Sequence, residues 1–152
     1  MDLTFKITGA DQLINKMSKF ADKLQEAASR RAARKAMAIV RRAAQAAAQQ
    51  FDDPETRESV KRNVYLQSSR RGGKAIGGVL MKVGILGGAS LRGSSEGNPG
   101  GITWYWRFKE LGNENEPARP FLLPALMNNV SAVQSTLVTE MNREIDKLAT
   151  EK

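Results

Sequence analysis

The amino-acid sequence predicts a small α+β domain, in which a short antiparallel β-sheet packs against a long helix from the N-terminal half and a C-terminal helix. Apolar residues recur at helical spacing from residue 22 to about 51, and again from 120 to 148. Short segments between these two stretches alternate with a period of two, which is typical of strands. The length of 152 residues suits one domain, so we assign 1–152 to a single domain.

The first fifty residues predict one strand and two helices. Residues 2–8 alternate apolar and polar side chains, which indicates a half-buried strand. Asp11 is placed to cap a short helix, and Asp22, followed three residues later by Gln25, resembles a capping box for the long helix. The apolar stripes of the two helices would face opposite sides of one continuous helix, so we expect a break between residues 20 and 30.

The long helix has one apolar face and one cationic face. The residues predicted to face the core are Ala33, Ala36, Met37, Val40, Ala43, Ala44, Ala47 and Phe51. The cations opposite them form two rows, Arg30, Arg34 and Arg41 in one and Arg31, Lys35 and Arg42 in the other. This face is either a solvated helix surface or a contact for phosphate or for an acidic neighbouring subunit.

The middle of the chain predicts two further strands and a loop. The long helix is expected to end at Asp52-Asp53-Pro54, with one more helical turn within 56–61. Strands are predicted at 64–68 and 75–86. Eleven of the 13 glycines lie between positions 72 and 101, and we predict a flexible glycine-rich loop at 87–101.

Three cations flank a glycine pair before the second of these strands. Arg70, Arg71 and Lys74 surround Gly72-Gly73, and this arrangement could hold a phosphate group. The spacing of a P-loop is missing, however, so a solvated hairpin turn is the preferred interpretation.

The sequence contains no cysteine and no histidine. This excludes thiol nucleophiles, thiolate zinc sites, Ser-His-Asp triads and histidine-ligated metals. The carboxylates at Asp52, Asp53, Glu55 and Glu58 are explained by helix termination and capping without a metal. We therefore predict no catalytic residue, metal or cofactor, and no enzymatic activity such as that of a nuclease or muramidase.

Charge and hydropathy indicate which partners to expect. The formal net charge is +8, and such an excess favours polyanions such as nucleic acid or an acidic protein. No apolar run approaches the ~20 residues that span a bilayer. The first residues lack the layout of a signal peptide, so we expect synthesis in a cytoplasm and no membrane partner.

Aromatic residues concentrate at 104–108, in a segment that could be a strand, a short helix or both in turn. A small core cannot take all of these rings, and exposed aromatics favour interfaces. The residues predicted to contact another subunit are Trp104, Tyr105, Trp106, Phe108, Arg119 and Phe121. A final helix is expected from Pro120 to Leu148, because apolar residues recur there at 3-4 spacing. Its prolines lie near the helix start, where they are tolerated.

The segment from Trp104 to Leu126 resembles the signature of neck or tail-completion proteins of long-tailed bacteriophages of the lambdoid coliphage type. That signature reads Tyr-x-x-Phe-x-Glu-x-Gly, here Tyr105, Phe108, Glu110 and Gly112. It continues as Pro-Ala-Arg-Pro-Phe-Leu-x-Pro-Ala-Leu, which residues 117–126 match. The family pattern that follows the long helix, Ala-Pro-Val-Asp-Thr-Gly and then Leu-x-x-Ser-Ile, is not matched at 50–64.

The resemblance implies a structural protein of the virion. Proteins of this kind join the DNA-filled head to the tail, or complete the upper end of the tail, as rings around the DNA channel. The resemblance implies a homo-oligomeric ring, with a hexamer favoured, and other neck and tail proteins as partners. It also implies nonspecific contact with genomic DNA. The protein would be made in the host cytoplasm and then take its place in the tail or neck. The alternative that we keep is a free-standing protein that binds nucleic acid nonspecifically, which the net charge favours.

Overall fold

The computed structural model describes residues 9–87 and 97–151, and it confirms the α+β class. The predicted strand at 2–8 lies outside the described residues. The helices are α1 (Ala10–Met17), α2 (Asp22–Ala48, extended by a 3-10 turn at Gln49–Phe51), α3 (Val60–Asn63), α4 (Arg70–Ile76), α5 (Trp106–Leu111), α6 (Leu122–Met127) and α7 (Val130–Thr150), and the strands are β1 (Val64–Ser68) and β2 (Met81–Ile85).

The predicted break between the first two helices is confirmed, and it brings their apolar stripes into one cluster. Leu13 and Met17 of α1 pack with Ala28 of α2 and with Ile145 and Leu148 of α7. This cluster therefore joins the first and the last described helices to α2.

Both predicted caps are wrong. The residues at the N-cap positions of α1 and α2 are Gly9 and Ala21, and neither helix has a side-chain cap. Asp11 and Asp22 lie instead in the first turn, where a carboxylate still interacts favourably with the helix dipole. The backbone therefore enters each helix one or two residues earlier than the spacing of polar residues predicts.

Helix α2 is the central element of the fold. Every fourth residue along it is buried, at Ala28, Ala32, Ala36, Val40, Ala44 and Ala48. Because four residues exceed one turn by about 40°, this stripe winds around the helix. Its N-terminal half meets α7 and its C-terminal half meets α6 and the sheet. The predicted apolar face overlaps this stripe at Ala36, Val40 and Ala44. Its other members Met37, Ala43, Ala47 and Phe51 are partly buried against the core.

The sheet has two antiparallel strands in the described chain, with Val64 opposite Ile85 and Ser68 opposite Met81. The prediction of a strand at 75–86 is correct only for its second half. The hairpin turn predicted at Arg70–Lys74 is wrong, because these residues form helix α4. The hydroxyl of Ser69 accepts a hydrogen bond from the Gly72 N–H and caps this helix, a signal that the glycine pair obscured.

The C-terminal part also differs from the prediction. The single helix expected from Pro120 to Leu148 is divided into α6 and α7 at Asn128 and Asn129. The amide of Asn129 donates to the carbonyl of Ala125 at 2.8 Å, and such local bonds compete with a continuous helix. The further turn within 56–61 occurs slightly later, as α3. No helix among the described residues has the length and apolar character needed to cross a membrane.

Candidate functional site

The two parts of the signature segment are joined by one carboxylate. Glu110, near the end of α5, accepts hydrogen bonds from the backbone N–H groups of Phe121 (2.7 Å), Leu122 (2.9 Å) and Leu123 (3.0 Å). These groups form the N-terminus of α6, where amides lack partners within the helix. A charged acceptor suits this position because of the helix dipole. Glu110 therefore caps a helix that begins twelve residues after it.

The chain between the two parts of the signature folds back tightly. Gly112 has a φ of 76°, and a Cβ there would lie 2.8 Å from the backbone nitrogen of Ala118. The Arg119 N–H donates to the Lys109 carbonyl at 2.7 Å. Only glycine fits this conformation and this approach without strain. The signature thus describes one structural unit, a turn held at both ends, which explains the fixed order of its residues.

The predicted aromatic interface residues divide into core and surface. Phe121 is fully buried and packs against Phe51 with ring centroids 5.5 Å apart, so it is a core residue rather than a subunit contact. Tyr105 and Trp106 are partly buried against the same core. Phe108 remains 41% exposed and meets the edge of Trp104 at 5.6 Å. These residues lie in a turn and in α5, so the helical alternative for this segment is correct, and no strand forms there.

A groove of about 440 Å³ opens beside these aromatic rings, and we call it the aromatic groove. Its apolar residues are Phe51, Tyr105 and Phe108, and its carboxylates are Asp53, Glu58 and Glu116. It lies between α5 and the connection that follows α2.

The residues that line the groove carry a net negative charge, with three carboxylates against Lys109. Burial raises the pKa of Tyr105, and the nearby carboxylates of Glu58, Asp52 and Asp53 raise it further. A hydrogen bond from Lys109 at 2.6 Å lowers the pKa of Glu116 and pairs that carboxylate. Asp53 and Glu58 have no ion pair among the described residues and supply the uncompensated charge.

One predicted cationic row of α2 is partly used inside the fold. Arg31 donates to Glu144 and Lys35 donates to Glu140, each at 2.6 Å. The Glu144 side chain is only 2% exposed, whereas that of Arg31 is 55% exposed. The pair therefore positions a half-exposed cation over a buried carboxylate. These bonds help to fix the antiparallel packing of α2 on α7.

The pKa values of both carboxylates are lowered. The hydrogen bond from Lys35 is the main cause for Glu140, and Arg143 contributes further. For Glu144, burial would raise the pKa, but hydrogen bonds from Arg31 and Lys147 together outweigh it. Both groups therefore remain ionised in the folded protein at neutral pH.

The other cations of α2 differ in their partners. Arg30 pairs with Glu26 one turn earlier. Arg34, Arg41 and Arg42 are exposed and form no ion pair within residues 9–87 and 97–151. We call these three residues the free arginines of α2. They remain available to an external anion.

The structure brings part of α2 and α4 together around a pocket of about 490 Å³. Arg30, Arg70 and Lys74 line it, so two separate cationic predictions converge there. Asp22 and Glu26 line it as well and offset part of the charge. Arg71 is exposed and does not line this pocket. The pocket is a surface of mixed charge with a small positive excess.

A polar centre that no sequence pattern indicated lies at Asn63, which is fully buried. Its side-chain amide donates to the Gly101 carbonyl (2.9 Å) and to the Thr103 hydroxyl (2.8 Å), and its side-chain carbonyl accepts from the Gly100 N–H (2.7 Å). Its backbone carbonyl accepts from the Leu86 N–H at 2.9 Å. Asn63 thus holds both ends of the predicted loop at 87–101. The part of that loop at 88–96 lies outside the described residues.

The described residues contain no group of carboxylates that could hold a metal ion. The carboxylates at the end of α2 instead accept hydrogen bonds from nearby residues of the chain. Asp52 accepts a hydrogen bond from the Ser59 hydroxyl at 2.7 Å, and Asp53 accepts one from the Glu55 N–H at 2.9 Å. These bonds shape the connection between α2 and α3.

Residues 11–112 match the family described as "Bacteriophage HK97-gp10, putative tail-component". The chain belongs to the HK97-gp10-like family. The match to this family includes α1 to α5 and ends at Gly112, so it contains Glu110 but not the helix that Glu110 caps. No curated protein and no solved structure matched the chain.

Membership of the HK97-gp10-like family identifies the protein as a tail component of a bacteriophage, with a structural role in the virion. The resemblance seen in the sequence is confirmed at this level. The contacts described above agree with a structural role, because the signature residues serve to build the turn between α5 and α6.

Proposed function

We propose that this tail component acts in the neck of the phage, where it joins the head to the tail or completes the upper end of the tail around the DNA channel. The match of residues 11–112 to a tail-component family carries the proposal. The signature unit supports it, because Glu110 ties the matched part of the chain to the Pro117–Leu126 segment on which the neck resemblance rests. Other neck and tail proteins are then its partners.

We further propose that the chain assembles as a homo-oligomeric ring, with six copies favoured, and that 1–152 forms one domain. The contacts of α2 with α7 and of α1 with α7 support the single domain, because they tie the first two helices to the last one. Trp104 and Phe108 support subunit contacts, because their rings lie partly at the surface. Arg119 supports them too, because it is exposed between two prolines and forms no ion pair with a described residue.

The joining role can be tested with particles that lack the protein. Purified chain is added to separated heads and tails, and joined particles are counted by electron microscopy and by infectivity. We expect joining to be restored by the wild-type chain and not by an equal amount of bovine serum albumin. Circular dichroism and sedimentation would establish that the added chain is folded, and a folded chain that restores no joining would refute the proposal.

Nonspecific contact with genomic DNA is the second candidate function. The observation in its favour is the convergence of Arg30, Arg70 and Lys74 on one pocket, next to the exposed Arg71. Such contact would be strongly dependent on salt, because binding releases counterions from DNA. The variant R70E/K74E should weaken binding to duplex DNA of several sequences equally, whereas tight binding that ignores salt would contradict this view.

A further inference from the structure

We propose that the aromatic groove of one subunit receives the free arginines of α2 from a second copy of the same chain. The contact between subunits is then heterologous, because the groove and the arginines are different surfaces of one molecule. The proposal adds to the proposed function the identity of both contact surfaces, and it rests on that function only in taking the assembly to be a closed ring.

The groove has the composition of a docking site for arginine. Phe108 is 41% exposed, and the ring of Trp104 lies at 87° to it, which restricts its position. An aromatic face binds a guanidinium group by cation–π interaction, and it also covers the apolar stem of the side chain. Lysine is less suited, because its ammonium group is more strongly hydrated.

The charge of the groove determines which kind of partner it accepts. Asp53 and Glu58 are uncompensated, and they contribute to the raised pKa of Tyr105. DNA would be repelled by these carboxylates, so the groove is a site for a basic protein surface. With a net charge of +8, the chain itself offers such surfaces.

The free arginines of α2 form one such basic surface. Arg34 and Arg41 lie on one side of the helix, seven residues or about 10 Å apart, so two guanidinium groups are presented together by a rigid element. Both are exposed and form no ion pair with a described residue. The cations of the neighbouring row, Arg31 and Lys35, are already held by α7.

These arginines cannot serve the groove of their own chain. Phe51 is the groove residue nearest to Arg41 in the sequence. Arg41 precedes it by ten residues, which corresponds to about 15 Å along α2. Arg34 lies about 25 Å away by the same measure. Complementary surfaces that cannot meet within one molecule can meet between molecules. A contact of this kind repeats from copy to copy and closes if the rotation between copies permits.

The experiment uses charge reversal of the full chain and then mixing. The acid-reversed variant is D53K/E58K and the base-reversed variant is R34E/R41E. Each alone places like charges in the contact, so we expect self-association, measured by sedimentation velocity, to weaken by at least about tenfold. An equimolar mixture restores opposite charges in every contact, so assemblies of wild-type size should reappear and should contain both variants in alternation.

Matched controls keep the same change of charge away from the contact. K19E/K23E changes two exposed cations near the start of α2, and D146K/E151K changes two exposed carboxylates near the end of α7. Both should associate like the wild type. If D53K/E58K misfolds by circular dichroism, the single variant E58K replaces it, because the Glu58 side chain makes no hydrogen bond or ion pair with a described residue.

Each outcome decides the matter. Recovery of assemblies only in the mixture supports the proposal. Assembly by the single variants at wild-type strength, or failure of the mixture when the wild type assembles, overturns it. So does a wild-type chain that stays monomeric up to its solubility limit, or loss of DNA binding as the sole effect of R34E/R41E. The joining assay tests the proposed function separately from the subunit contact. If the charge-reversal experiment overturns the contact but wild-type chain still joins heads to tails, the proposed function stands.

Discussion

Removal of the Glu110 carboxylate should destabilise the protein measurably, because this one side chain caps α6. The variant E110A leaves the N–H groups of Phe121, Leu122 and Leu123 without their acceptor. The bonds to Phe121 and Leu122 are partly buried, whereas the bond to Leu123 is exposed, so water can replace only the last one. Each lost bond to a charged acceptor costs about 1.5 kcal/mol at the low end of the usual range, so two predict a loss of about 3 kcal/mol in the free energy of unfolding.

The conservative variant E110Q separates charge from shape. It keeps one side-chain oxygen and loses the interaction of the charge with the helix dipole, so we expect a smaller loss of about 1 kcal/mol. Urea unfolding measures both variants through the midpoint of the transition, provided that the slope is unchanged. The matched control is E114A, since Glu114 is exposed and bonds to no described residue through its carboxylate.

Equal stability of E110A and E114A, within about 0.5 kcal/mol, would refute this account of the signature segment. The glutamate would then owe its place in the signature to a partner molecule. A loss in E110A that E110Q reproduces in full would assign the whole effect to charge rather than to the hydrogen bonds.

Three further substitutions test other contacts by the same unfolding assay. N63A should cost about 3 kcal/mol, because buried groups of Gly100 and neighbouring residues lose their partners; a loss below about 1 kcal/mol would contradict this. G112A should destabilise by about 1–3 kcal/mol, since the φ of 76° and the approach to Ala118 both exclude a Cβ; a neutral result would show that the turn can relax. The pKa of Glu144 is lowered from 4.5 in the folded protein. Its contribution to the free energy of unfolding is therefore full above about pH 4.5 and is lost as the pH falls through the pKa of the folded state. The stability difference between wild type and E144Q should therefore be largest near neutrality and shrink below about pH 4.5, and a difference that grows in acid would refute the sign.

The sequence was sufficient for the features that depend on local pattern. The alanine-rich α2, the break before it, β1 and the stop at Asp52-Asp53-Pro54 are all encoded by residues close in the chain, and all are present. Helix α4 was missed because Gly72-Gly73 is typical of a turn. It forms because Ser69 caps it and because the backbone of Gly78 packs closely on Gly73, where a Cβ would lie 2.6 Å from a carbonyl oxygen.

The features that the sequence did not predict depend on distant partners. Glu140 and Glu144 are typical surface residues by type, and only the packing of α7 on α2 buries them against cations more than a hundred residues earlier. Asn63 bonds to groups 37 to 40 residues away, so nothing near it marks its role. The aromatic groove likewise combines the end of α2 with α5, which no local spacing could indicate.

The winding stripe of small side chains on α2 has an evolutionary consequence. Larger residues at Ala28, Ala32 or Ala36 would push α7 away, so these positions tolerate little change. On the outward side of the same helix, Arg34 and Arg41 are exposed and form no ion pair with a described residue. Related phages can therefore exchange the charges on this side, and adapt the protein to new neighbours, while the inner side preserves the architecture unchanged.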